Sequence, residues 1–153
     1  MKKSIKKILF IGLIIFLLMQ VYQPARNQSY ERLNTADFSS IYKVPKNVAT
    51  ILRTSCYDCH SNNTKYPLYS YIQPARLFME SHIKEGKENL NFNEWGNYSN
   101  RKQNNKLDRI VKQIKSDAMP LRSYTLIHRN AVLNKNQKEL IINWINTQLS
   151  NEK

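Results

Sequence analysis

The sequence is poor in the residues that build disulfide frameworks and metal clusters. Its 153 residues include only two cysteines and three histidines. It also contains no internal repeat, no glycine-rich loop and no run of alternating apolar and polar residues typical of a strand. The chain is long enough for one domain plus an accessory segment. These absences favour an all-α domain.

Acidic residues are also scarce, with 11 Asp and Glu against 24 Lys and Arg. A basic surface is typical of proteins that bind nucleic acid, anionic lipid or an acidic protein. It is equally typical of a solvated face without a partner. Charge alone does not decide between these classes, but the export indicated by the amino terminus argues against nucleic acid.

Residues 1–22 place four lysines before an apolar run from Ile8 to Met19. Because no small-x-small cleavage site follows, an uncleaved membrane anchor is favoured over a cleaved secretion signal. No cysteine ends the run, which excludes a lipoprotein anchor. The positive-inside rule places the rest of the chain outside the cytoplasm. We therefore predict a single-pass protein of the cytoplasmic membrane, with a linker over 23–43, mobile in its first half, and a domain over 44–150.

Both cysteines lie in Cys56-Tyr57-Asp58-Cys59-His60, a C-x-x-C-H motif. This spacing is typical of a covalent c-type haem attachment site. On one helical turn, the two thiols reach the two vinyl groups of a haem, and His60 approaches the iron as an axial ligand. The motif therefore predicts one haem c per chain. We expect a backbone carbonyl near Pro67 to accept a hydrogen bond from the His60 ring.

Other interpretations of the two cysteines are weaker. A zinc site needs two further ligands, for which only His82 and His128 remain. A thioredoxin-like dithiol would accompany a βαβ pattern, which the sequence does not show. A structural disulfide would leave His60 unexplained.

Apolar periodicity predicts four helices in the exported part. The first helix should run from Val44 to the cysteine motif, and the second over 74–85, where Gly86 ends it. The third should occupy about 100–116, and the last should begin at Asn134 and run to the carboxyl end. Gln137 should cap the last helix together with Asn134. The residues expected to face the core or pin the intervening loop to it are Val48, Ile51, Leu52, Leu77, Phe78, Ile83, Leu90, Phe92, Trp95, Leu107, Ile110, Val111, Ile114, Leu140, Ile141, Trp144, Ile145 and Leu149.

The motif identifies His60 as one axial ligand, but it does not identify the second. Outside residues 1–22 the methionines are Met79, beside apolar helix residues, and Met119, in a loop before Pro120. Because the residue before a proline favours an extended backbone, Met119 suits a strap over the open haem face. A thioether ligand favours ferrous iron and suits electron transfer. His82 and His128 are the alternatives. Three tyrosines are expected to wall the pocket or pack in the core, namely Tyr66, Tyr69 and Tyr71.

Several stretches resemble the bacterial haem-binding-domain family, whose small c-type haem proteins commonly follow a membrane segment. They are CYDCHSNNTKYPLYSYIQPA, HIKEGKENLNFNEW and MPLRSYTLIH, together with a final helix near Trp144, within residues 45–147. The chain departs from the family pattern at Leu68, where an aromatic residue is usual. The resemblance implies covalent haem on Cys56 and Cys59 and iron ligation by His60. Similarity to cytochromes c more widely suggests Met119 as the distal ligand.

We therefore predict a cytochrome-c-like, extracytoplasmic mono-haem protein that carries single electrons between redox partners, including a membrane electron-transfer complex. The protein supplies ligands, a dry pocket and a docking surface. The rival interpretation is a peroxidase-like enzyme or gas sensor with an open sixth site, served by His82, His128 or Arg122. Basic residues are expected at a docking rim for an acidic partner, namely Lys65, Arg76, Arg101, Lys102 and Arg122.

Overall fold

The computed structural model describes residues 2–29 and 36–151, and its regular structure there is helical. This confirms the predicted all-α fold. An isolated antiparallel bridge joins Gln28 and Asn63. Short 3₁₀ turns occupy Leu68–Tyr71, Phe92–Asn97 and Arg129–Ala131. The α-helices are α1 Lys2–Val21, α2 Phe38–Tyr42, α3 Lys46–Ser55, α4 Tyr57–His60, α5 Ala75–Asn89, α6 Asn100–Lys115, α7 Arg122–Ile127 and α8 Lys135–Asn151.

Helix α1 is long and apolar enough to cross a membrane, and none of its residues is buried. Its carboxyl-terminal end contacts the rest of the chain through hydrogen bonds to Gln73. The Gln73 amide donates to the Gln20 side chain at 2.9 Å, and the Gln73 side chain donates to the Tyr22 carbonyl at 2.6 Å. The last turn of α1 is therefore attached directly to the domain.

The segment after α1 also lies against the domain. The Asn27 side chain donates to the Ser61 carbonyl at 2.8 Å and to the Thr64 hydroxyl at 2.9 Å. Phe38, also within the range assigned to the linker, is fully buried in the core. The first half of this range is expected to be a mobile tether, but Pro24, Asn27 and Ser29 form hydrogen bonds to the domain. The part of the linker over 30–35 lies outside the described residues. The domain boundaries themselves stay a prediction.

The core forms where α6 and α8 pack against each other and against α3 and the Phe92–Asn97 turn. The apolar stripe of α6 is confirmed, since Leu107, Val111 and Ile114 are buried. The predicted cap of α8 is also present. Asn134 and Gln137 exchange backbone-to-side-chain hydrogen bonds of 2.9 Å, which satisfies amides that a helix start leaves without partners.

Two expectations for α5 are wrong. The helix does not stop at Gly86 but continues to Asn89. Leu77 and Phe78 do not face the core, because their side chains are 47% and 59% exposed. Helix α5 packs on α4 and on the Leu68–Tyr71 turn instead, with Ile83 as its buried apolar residue.

Candidate functional site

The cysteine motif lies at the junction of α3 and α4. Cys56 ends α3, where its amide donates to the Leu52 carbonyl at 2.8 Å. The Cys56 carbonyl then accepts from the amides of Cys59 at 3.2 Å and His60 at 3.0 Å. This single turn holds both thiols and the imidazole close together, as the spacing of the motif predicts.

All three motif side chains line a cavity of about 320 Å³. Met119 lines the same cavity from a distant part of the chain. The four residues predicted to hold a cofactor therefore meet at one place. Apolar residues make up much of the remaining wall, including Leu90, Phe92, Ile110, Ile114, Leu121 and Leu133.

His60 is oriented by two backbone carbonyls. Its Nδ1 lies 2.9 Å from the Gly86 oxygen and 3.1 Å from the Leu90 oxygen. Because both partners are acceptors, Nδ1 carries the proton and Nε2 keeps its lone pair for a metal. Burial lowers the pKa of His60, although the two carbonyls oppose that shift. The expected acceptor near Pro67 is wrong, since the acceptors come from the end of α5.

Gly86 is a site residue that the sequence analysis missed. A β-carbon at this position would lie 2.6 Å from the Cys59 carbonyl oxygen. The missing side chain lets α5 approach α4 closely enough for the Gly86 carbonyl to reach His60. The sequence contained a signal in the glycine itself, which we assigned to a helix stop.

Neither thiol forms a disulfide, and both cysteines are half-buried. Burial raises the pKa of Cys56 to about 12 and that of Cys59 to about 11. The nearby Cys59 raises the pKa of Cys56 further, and the charge of Asp58 raises the pKa of Cys59 further. The thiols are therefore protonated at neutral pH.

Met119 is positioned by the end of α6. Asp117 has a positive φ of 56°, which turns the chain back after the helix. The amides of Ala118 and Met119 then donate to the Gln113 carbonyl at 3.1 and 3.2 Å. These bonds hold Met119 half-buried at the cavity wall, whereas Met79 lies outside the lining.

The two alternative histidine ligands differ in position. His82 lines the cavity, and its Nδ1 lies 2.8 Å from the Phe78 carbonyl. His128 lies outside the lining. Its Nε2 is hydrogen-bonded to the Tyr69 hydroxyl at 2.7 Å, and its ring stacks on Tyr124 with centroids 4.2 Å apart.

Tyr124 is a second residue that sequence reasoning missed. It lines the cavity, and its hydroxyl donates to Asp58 Oδ2 at 2.7 Å. This bond ties the segment after Met119 to the motif turn. The three tyrosines expected at the pocket, Tyr66, Tyr69 and Tyr71, lie outside the cavity lining.

Two basic residues have unexpected environments. Lys106 lines the cavity, is only 8% exposed and donates to the Asn89 carbonyl. Burial lowers its pKa. Arg76 is wrongly assigned to a docking rim, because it is 2% exposed and forms an ion pair of 3.1 Å with Glu80.

The donor set of the cavity fits a haem. Two thiols one turn apart match the two attachment points, and the His60 imidazole offers a free Nε2 beside them. A thioether and apolar side chains line the same cavity, together with polar residues that include His82, Lys106 and Tyr124. The thioether suits the soft coordination of a haem iron. Among the described residues, no cluster of three or more His, Cys, Asp or Glu side chains is placed to hold a metal ion by itself.

Comparison with known proteins agrees with this fit. A family model described as the haem-binding domain matches residues 14–147. The match covers most of the chain, including the carboxyl-terminal part of α1. No curated protein and no solved structure matches the chain. The chain belongs to the haem-binding-domain family, which identifies haem as its cofactor.

Proposed function

We propose that the chain is a mono-haem c-type cytochrome that transfers single electrons on the extracytoplasmic side of a membrane. Cys56 and Cys59 would hold the haem covalently, and His60 and Met119 would ligate its iron. The observation that carries this proposal is the meeting of these four side chains on one cavity. Met119 lies some sixty residues after Cys59 in the chain. A zinc site, a redox dithiol or a structural disulfide at the two cysteines would not require Met119 to lie beside them.

The bound haem supplies a one-electron ferric–ferrous couple. The residues of the chain orient the group and tune it. The Gly86 and Leu90 carbonyls fix the His60 tautomer and increase the basicity of Nε2. Phe92 and the apolar α6 residues Ile110 and Ile114 line the cavity, and apolar surroundings of this kind help to set the reduction potential of a haem.

The rival function requires an open sixth position and polar groups beside it. Of the three groups considered for that role, His82 lines the cavity, whereas His128 and Arg122 lie outside its lining. His128 is engaged with Tyr69, which removes it further from such chemistry. A thioether at the wall favours the electron carrier over peroxide or gas chemistry.

The surface and the amino terminus support the remaining parts of the proposal. Helix α1 has the length and composition of a membrane span, with its lysines at the inner end. Basic residues at the surface are suited to an acidic redox partner. Those that remain exposed are Lys65, Arg101, Lys102 and Arg122.

Covalent attachment is tested on the full chain expressed in cells that mature c-type cytochromes. Trypsin should release residues 54–65 as one peptide, since Arg53 and Lys65 flank the motif. We expect that peptide to carry the mass of haem after denaturation. A Cys56→Ser, Cys59→Ser variant should lose the covalent haem. A wild-type peptide without haem, recovered from spectroscopically loaded protein, would contradict covalent attachment.

A further inference from the structure

Large apolar side chains are exposed where the Leu68–Tyr71 turn meets α5. We define this apolar cluster as Leu68, Tyr71, Ile72, Leu77 and Phe78. Their exposure ranges from 47% to 88%. The turn and α5 pack against each other, which brings the five residues to one region of the surface. An exposed apolar patch of this kind marks an interaction surface.

The cluster surrounds the point where the domain is attached to α1. Gln73 lies between its members and is only 2% exposed. Its backbone amide donates to Gln20, its side-chain nitrogen donates to Tyr22, and its side-chain oxygen accepts from the Leu77 amide at 3.1 Å. One buried side chain thus connects the end of α1 to the cluster.

This attachment sets the height of the cluster above the membrane. Helix α1 has 20 residues, and at about 1.5 Å per residue such a helix is as long as the hydrocarbon core is thick. Gln20 lies in its last turn and therefore reaches the lipid headgroups. Because Gln73 is bonded to Gln20, the neighbouring Ile72 and Leu77 lie at the same level.

The polar surroundings of the cluster also suit a lipid surface. Arg26 is exposed, and its guanidinium carbon lies 4.5 Å from the centre of the Tyr71 ring. Tyrosine is enriched at membrane interfaces, where its ring stays apolar and its hydroxyl stays wet. An arginine at that level is attracted to anionic headgroups.

We propose that the apolar cluster inserts into the headgroup region of the membrane that α1 spans. The domain then lies against the bilayer instead of standing away from it. This inference rests on the part of the proposed function that places α1 in a membrane, and it is independent of the haem ligands.

The consequence for the site follows from α5. Phe78, in the cluster, contacts His82 with ring centroids 4.3 Å apart, and His82 lines the cavity. The cavity wall therefore begins one helical turn from the membrane surface. A partner that exchanges electrons at this side of the haem is itself held at the membrane.

The test uses the full chain in membranes with the photo-crosslinking residue p-benzoylphenylalanine at position 78. The matched control carries the same residue at the exposed position of Asn143, on α8, which packs on α3 and α6. We expect lipid adducts at position 78 and none above background at position 143. Haem content of each sample shows that the variant has folded.

Carbonate extraction of the same membranes separates this inference from the anchor. If the chain resists extraction but position 78 yields no lipid adduct, the inference is overturned while the anchor stands. Adducts at position 78 to a second copy or to another protein would overturn it in favour of a protein interface. Release of the chain by carbonate would overturn both the anchor and the inference.

Discussion

The protonated Nδ1 of His60 donates a hydrogen bond of 2.9 Å to the Gly86 carbonyl. The two residues belong to different helices, and the contact exists because Gly86 has no side chain to hold α5 away from Cys59. One glycine therefore both permits the helix contact and orients the His60 ring.

Gly86→Ala should destabilise the protein despite the better helix propensity of alanine. The propensity gain is about 1 kcal/mol. The β-carbon would meet a backbone oxygen at 2.6 Å, and overpacking of this kind costs about 1–3 kcal/mol. Set against each other, these two effects leave a net loss of up to about 2 kcal/mol in the free energy of unfolding of the holoprotein, measured with denaturant. The control is Gly12→Ala in α1, where nothing lies within 4 Å, and equal stability of the two variants would contradict this account.

Tyr124→Phe should loosen the Met119 segment. The lost bond to the Asp58 carboxylate is 2.7 Å long, and a hydrogen bond to a charged group contributes about 1.5–3 kcal/mol. We expect lower stability and a weaker sulfur-to-iron charge-transfer band in the ferric spectrum. Tyr71→Phe, at an exposed tyrosine, is the control. An unchanged band in Tyr124→Phe would show that this bond does not position Met119.

Arg76→Met should act on stability and not on docking. The substitution leaves Glu80 without its cation in a partly buried site, and breaking a buried pair costs about 3 kcal/mol or more. Arg101→Met, at an exposed position, should change stability by less than about 0.5 kcal/mol. Urea unfolding compares the two variants. A larger loss in Arg101→Met would contradict the assignment of Arg76 to the interior.

The thiols should respond to pH differently in the folded and unfolded apoprotein. Folding raises the pKa of Cys56 to about 12 and of Cys59 to about 11, from an ordinary value of 9.0. Only the thiolate is nucleophilic, so alkylation by iodoacetamide should be slower in the folded chain throughout the range from pH 7 to about 10. Because the folded state binds these protons more tightly, the free energy of unfolding should fall as the pH rises above 9.

Chemically denatured apoprotein supplies the reference rate, and Cys56→Ser isolates the reaction of Cys59. Equal alkylation rates in the folded and denatured chains would show that the thiols are not buried in the apoprotein.

Local signals in the sequence predicted much of the fold and the centre of the site. The stripe of α6, the Asn134–Gln137 cap and the cysteine motif each depend on neighbours within a few residues, so their spacing alone determines them. Met119 was predicted from the proline that follows it. The structure brings Met119 to the cavity, and its ligation stays a prediction.

Other features depend on contacts between distant segments. Nothing local marks Phe38 as a core residue or identifies Gly86 and Leu90 as partners of His60. Leu77 and Phe78 were misassigned for a different reason. Apolar periodicity identifies the apolar face of a helix, but it does not show whether that face is buried in the domain or exposed at its surface.

The visible spectrum of the matured protein, ferric and ferrous, with and without carbon monoxide, tests the central claim most directly. We predict a low-spin ferric haem with a sulfur-to-iron charge-transfer band that is lost in Met119→Ala and retained in Met79→Ala. The ferrous protein should not bind carbon monoxide readily, because we propose that Met119 occupies the sixth position. A high-spin ferric haem that binds carbon monoxide promptly would contradict the electron-carrier account and point to catalysis or sensing.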